Sequence, residues 1–244
     1  MIKRMLAGGI IAGFAAGLIA ALLHFAFVQQ LILLGEQYES GALVHFEASA
    51  TAPAVTGHDH AAGEAAADHD HGAAETGGES GFQRNALTVL FTTLIYASYG
   101  ILLMAGFAVA EQFGRTISSG EGMLWGLAGF AAFQLAPAMG LPPELPGSVA
   151  ADLGARQLWW LGTVVATGGG LALLAYGRTA LTAALGGALL AAPHVIGAPQ
   201  LDQFYGIAPP ELAAAFAARV LGVGFVVWAA LGWLAGRFWS KTLA

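Results

Sequence analysis

Gly57 to Gly72 reads GHDHAAGEAAADHDHG and holds four of the chain's seven histidines as two His-x-His pairs, His58/His60 and His69/His71. Asp59, Asp68, Asp70 and Glu64 lie among them. Neutral imidazole is the commonest protein ligand for borderline divalent metals, and carboxylates add harder oxygen ligands. His-x-His brings two rings to one ion only where the backbone is extended or flexible, which the Ala/Gly filler permits. Weak capture of a divalent ion is the chemistry this pattern fits, with His58, His60, His69, His71, Asp59 and Asp70 as ligands. Protonation of the imidazoles weakens such capture as pH falls below about 6.5. The plainer alternative is an acidic low-complexity linker with incidental histidines. Residues 48–81 are poor in large apolar side chains throughout, so the stretch reads as a disordered loop.

Everything around that loop is membrane-like. Of 244 residues, 57% are hydrophobic and 10% charged, which no ordinary soluble domain shows. Apolar runs of about 20 residues recur, each long enough to cross a hydrocarbon core. The absence of cysteine excludes disulfides and thiolate metal sites, and argues against a dedicated copper(I) carrier. The net charge of −6 comes mostly from the loop and its flanks, not from a surface suited to nucleic acid. No phosphate-binding G-x-x-x-x-G-K occurs, so ATP is not bound by that route.

The chain therefore reads as a single all-α membrane domain, residues 1–244, of about six spans. These run near Met5–Val28, Ala86–Ala110, Gly122–Met139, Gln157–Tyr176, Thr179–Val195 (broken by Pro193) and Ala215–Gly236. Gly9, Gly13 and Gly17, with Ala12, Ala16 and Ala20, give the first span a small-residue stripe for close helix packing. That favours an interior helix over a cleaved leader. Six spans put both termini on one side with Lys3, Arg4, Arg115, Arg178, Arg237 and Lys241, six of the nine basic residues. The positive-inside rule makes that side cytoplasmic. The His-rich loop is then external, as are thirteen of the fifteen acidic residues, all but Glu111 and Glu121.

Polar side chains at membrane depth are costly without partners, so each is a functional candidate. His24, Gln134, Met139 and His194 fall at the outer level, under loops bearing Glu144, Asp152, Gln200 and Asp202. His24 and His194 suit a metal-entry site; interhelical hydrogen bonding is the alternative for each. Gln134, Met139, Glu144, Asp152 and Asp202 are possible entry-path residues, with Gln134 and Met139 better suited to packing. Arg156 suits an ion pair with Asp152 or Glu144, and Tyr96 and Tyr99 suit interface anchors.

Several pieces spread along the chain carry a resemblance: the Gly/Ala-rich first helix ending in His24 and Gln29–Gln30, the His/Asp loop, Leu141-Pro-Pro-Glu-Leu-Pro-Gly147, Ala151-Asp-Leu-Gly-Ala-Arg-Gln-Leu-Trp-Trp160, and Ala192-Pro-His-Val-Ile-Gly-Ala-Pro199. They resemble the CbtA family, proposed cobalt-transporter membrane subunits of bacteria. The resemblance implies cobalt uptake linked to cobalamin synthesis, a location in the cytoplasmic (inner) membrane and a small single-span CbtB-type partner. It also implies five spans, one fewer than counted here. Cobalt is not legible in the residues themselves, and nickel or zinc would suit the same ligands. The sequence thus points to a permease subunit for a divalent transition metal, with the ion as substrate. A non-transporting metal-binding or sensory membrane protein that loads a partner is the second reading. An integral membrane enzyme is the least favoured, because the spans contain no nucleophile–base pair or carboxylate dyad.

Overall fold

A computed structural model describes residues 2–45, 79–203 and 206–243. Its helices are α1 (Ile2–Phe27), α2 (Gln29–Glu39), α3 (Glu79–Gln112), α4 (Ser119–Phe130), a π-helical turn (Ala131–Leu135), α5 (Ala136–Ala138), α6 (Leu153–Tyr176), α7 (Ala180–Ile196) and α8 (Pro210–Leu243). No strand occurs among the described residues. The helices α1, α3, α6 and α8 are long and apolar enough to cross a membrane; α7 is a shorter apolar helix. α4, the π turn and α5 run on from one another over residues 119–138 as a further helical passage, shorter segment by segment than the four long helices.

Successive passes alternate in direction. Gly9 lies against Gly100 and Gly17 against Thr93, so α1 and α3 are antiparallel. Gly122 meets Gly232 and Gly236 while Gly129 meets Trp228, which makes α4 and α8 antiparallel too. On α6 and α7, Gly170 meets Gly186 and Leu190. Both chain ends consequently lie at one end of the bundle, with Arg115, Arg178, Arg237 and Lys241. The His-rich loop lies outside the described residues, but the chain leaves them at His45 and re-enters at Glu79, both at the far end.

Close backbone packing holds the core together. A Cβ at Gly13 would collide with the Tyr96 carbonyl and the Ala97 backbone. Ala12 and Ala16 are fully buried beside it, so the small-residue stripe is the α1 packing face. The larger side chains of α1, including Ile11, Phe14 and Leu22, face outward, as expected where the solvent is lipid. The core is built from α1, α3, α4 and α8 around Phe107, Trp228, Leu231 and Trp239. The α6–α7 pair docks on it through the π turn and α5, where Phe133 meets Trp160 with ring centroids 6.1 Å apart.

Several boundaries differ from the sequence expectation. After the first span the chain stays helical, because α2 continues beyond α1 over the far end of the bundle. There Leu145 of the Pro-Pro-Glu-Leu-Pro-Gly stretch is buried with Val28 and Phe216. Helix α3 already begins at Glu79, within the last residues assigned to the loop. Pro193 does not break α7: it lies in the last turn, and the helix runs to Ile196. Pro193 has no N–H for the Leu189 carbonyl four residues back, so α7 continues past it without that one bond.

Candidate functional site at the far end and inside the bundle

The far-end residues divide by helix pair. His24 is half-buried on the last turn of α1, its ring edge-on to Phe25 at 5.8 Å. Arg219 of α8 donates to the Phe27 carbonyl at 3.1 Å, setting a fixed positive charge on the end of that helix. His194 is half-buried on the last turn of α7 and meets Trp159 edge-on at 6.5 Å. The Trp159 indole N–H donates to the Pro193 carbonyl at 3.2 Å, fixing that turn on α6. Because α1 packs on α3 and α8 while α7 packs on α6, the two histidines belong to different helix pairs. Among the described residues no three His, Asp or Glu side chains gather as a metal cluster.

The outer carboxylates are engaged elsewhere. Glu144 pairs with Arg156 at 2.8 Å, one of the two pairings expected for that arginine. Asp152 is the N-cap of α6 and accepts from the Ala155 N–H at 2.9 Å. Both hold the loop between α5 and α6 in place. Asp202 is exposed on the loop after α7. Gln200 of that loop donates to the Gly140 carbonyl at 2.7 Å, tying the α7 end to the α5 end. Met139 is 70% exposed on the outside of its helix, away from any interior path. His58, His60, His69, His71, Asp59 and Asp70 lie outside the described residues.

Gln134 is placed differently from the rest. It lies on the π turn, where the Ala136 N–H reaches back five residues to the Ala131 carbonyl. Pro137 accounts for this widening: it has no N–H, and its ring would crowd the carbonyl four residues earlier, that of Phe133. Such single π turns occur often at functional sites. The wide turn aims Gln134 into the bundle, where its carboxamide lies near the Tyr96 hydroxyl and its oxygen fills the space a Cβ at Gly224 would need. Gly224 stands five residues along α8 from Arg219, so Gln134 lies inside the bundle and not at its mouth.

Aromatic rings line the same interior region. Trp228 of α8, 1% exposed, stacks on Phe133 at 5.7 Å and 17° and lies 4.6 Å from the ring of Tyr99. Tyr96 is buried and edge-on to Tyr99 at 5.9 Å. The two tyrosines are thus core residues and not interface anchors. Within this group the Gln134 Oε1 acceptor and the Trp228 Nε1 donor are both buried without a hydrogen-bond partner. Thr167 Oγ1 of α6 is a third such atom. In a membrane interior an orphan polar atom costs free energy.

Trp228 and the π turn escaped the reading of the sequence. The available signals were Pro137 three residues after Gln134, and Gly129, whose bare Cα admits the Trp228 ring.

The model of one protein family, described as "Probable cobalt transporter subunit (CbtA)", matches residues 2–240. No curated protein and no solved structure matches the chain. A match over nearly the whole chain establishes the family. The chain belongs to CbtA.

Proposed function

We propose that the chain, as a member of the CbtA family, is the membrane permease subunit through which a divalent transition metal, cobalt, enters the cell. The family match over residues 2–240 carries this reading. Passage, and not capture alone, is favoured by the orphan Gln134 oxygen within an aromatic-walled region of the bundle. A partly hydrated cation there would meet the carboxamide oxygen of Gln134 and the hydroxyls of Tyr96 and Tyr99.

In this mechanism His58, His60, His69 and His71, with Asp59 and Asp70, capture the ion weakly outside. His24 and His194 then act as successive contacts at the mouth, each on its own helix pair, instead of one shared site. Asp202, exposed on its loop, adds negative charge at the entrance, and anionic mouths concentrate cations. Glu144 and Asp152 shape the entrance as structural groups. The six-basic-residue end faces the cytoplasm, so the far end faces out. A small single-span CbtB-type subunit completes the transporter, as the family's description as a subunit suggests.

Uptake of cobalt, nickel and zinc into liposomes holding the purified chain tests this reading. The expectation is cobalt entry that slows when residues 57–72 are removed and slows further with His24→Ala/His194→Ala. Metal that binds the intact chain without ever reaching the lumen would favour a loading or sensory role instead.

A further inference from the structure

A second feature lies at the opposite end of the bundle from the proposed entrance. A cleft of about 730 Å³ separates the α6–α7 pair from the ends of α3 and α4. Its walls are apolar: Val109, Trp125, Ala172 and Leu189 face it, and Gly169 lines its depth with no side chain. Arg115, Tyr176 and Arg178 form its rim. The Arg115 guanidinium lies over the Tyr176 ring at 5.2 Å, which holds it at the mouth. From Tyr176 to Gly169 is seven residues of α6, so the cleft reaches roughly 10 Å into the apolar depth.

We propose that this cleft binds an anionic phospholipid, with one acyl chain between α3 and α6 and its phosphate held by Arg115 and Arg178. Three observations choose this occupant. The rim carries two arginines, whose planar guanidinium groups suit phosphate, and no acidic residue lines the cleft. Neither arginine takes part in a salt bridge among the described residues. Glu121 is near enough to feel the charge of Arg115, but its carboxylate already accepts from the Ser118 N–H at 2.7 Å. Size separates the lipid from a partner helix. A helix 10–12 Å across fills roughly 400–600 Å³ per turn, so the cleft would take little more than one turn of a spanning helix. An acyl chain is thin enough to lie along the whole depth of the cleft, and paired basic groups between membrane helices are a known form of headgroup site.

The test counts lipids on the purified chain by native mass spectrometry after equilibration with equal amounts of dioleoyl phosphatidylglycerol and dioleoyl phosphatidylcholine. The expected result is a preference for phosphatidylglycerol of about 5-fold to 30-fold, the range for one to two arginine contacts at a charged lipid surface. Arg115→Gln/Arg178→Gln should bring the ratio close to one, while Arg84→Gln at the other end leaves it unchanged. Ala172→Trp should reduce retention of both lipids by filling the cleft. Equal retention by the unaltered chain, or an undiminished preference in the double glutamine variant, overturns the proposal. Retention of neither lipid overturns it as well and leaves the cleft to a protein helix. The comparison on the unaltered chain decides the matter even where a variant fails to fold.

Discussion

The carboxamide oxygen of Gln134 occupies the place that a side chain at Gly224 would fill, so a polar group of the π turn rests on bare backbone of α8. That arrangement keeps the oxygen inside the bundle but gives it no hydrogen-bond donor. Gln134→Leu removes that orphan acceptor but also takes the carboxamide away from the buried Tyr96 hydroxyl, so a gain and a loss oppose each other. The variant is therefore expected to unfold within a few degrees of the unaltered chain. Differential scanning fluorimetry in detergent checks this.

The packing of α1 on α3 gives an opposite expectation. A methyl group at Gly13 would meet the Tyr96 carbonyl and the Ala97 backbone, which cannot move without separating the helices. Gly13→Ala should cost on the order of 1–3 kcal/mol, or more if the pair cannot relax. Gly187→Ala has open space around it and should cost little; Ala outranks Gly in a helix. Comparing the two unfolding midpoints separates close approach from a general effect of glycine.

How far the sequence could be read follows from what lipid does to sequence patterns. The spans and their alternation were legible because apolar runs report length directly, and the alanine–glycine stripe of α1 reported its packing face. The inward turn of Tyr96, Tyr99 and Trp228 was not legible. In a bilayer both the packed and the exposed faces are apolar, so periodicity does not say which face is buried. The position of each histidine near the outer end of its apolar run put it on the far-end turn of its helix. It could not say that α7 stands on α6, away from α1. Pro193 shows the same limit, since the turn that carries it is held by a tertiary contact, the Trp159 indole N–H on the Pro193 carbonyl.

Because His24 and His194 sit on separate helix pairs, their contributions to metal entry should be independent. The rate losses from His24→Ala and His194→Ala are expected to multiply in the double variant, with an interaction below about 0.5 kcal/mol. A shared ligand set would instead make the second substitution nearly silent. A double-mutant cycle on cobalt uptake distinguishes the two.

Acid sensitivity at the basic end centres on α4. The backbone N–H and hydroxyl of Ser118 hold the Glu121 carboxyl below its ordinary value, with Arg115 as a smaller cause. A lowered folded-state pKa gives stability that is present above the unfolded value and lost as pH falls through the folded one. Helix α4 should therefore start to fray only below the usual carboxylate range. Glu121 is exposed, so the effect is small, a few tenths of a kcal/mol after solvent screening. Glu121→Gln keeps a capping partner and should remove the acid step. Amide exchange at the α4 N-terminus between pH 5 and pH 3 reads it.

The most direct test of the central claim is cobalt entry into liposomes under an inside-negative potential, comparing the unaltered chain with Gln134→Leu. Passage through the aromatic-walled interior predicts steady entry for the unaltered chain and at least a tenfold slower rate for the variant, about 1.4 kcal/mol in the barrier. Equal rates for the two proteins, or no entry with the unaltered chain, would contradict the claim that this subunit carries the ion through its own core.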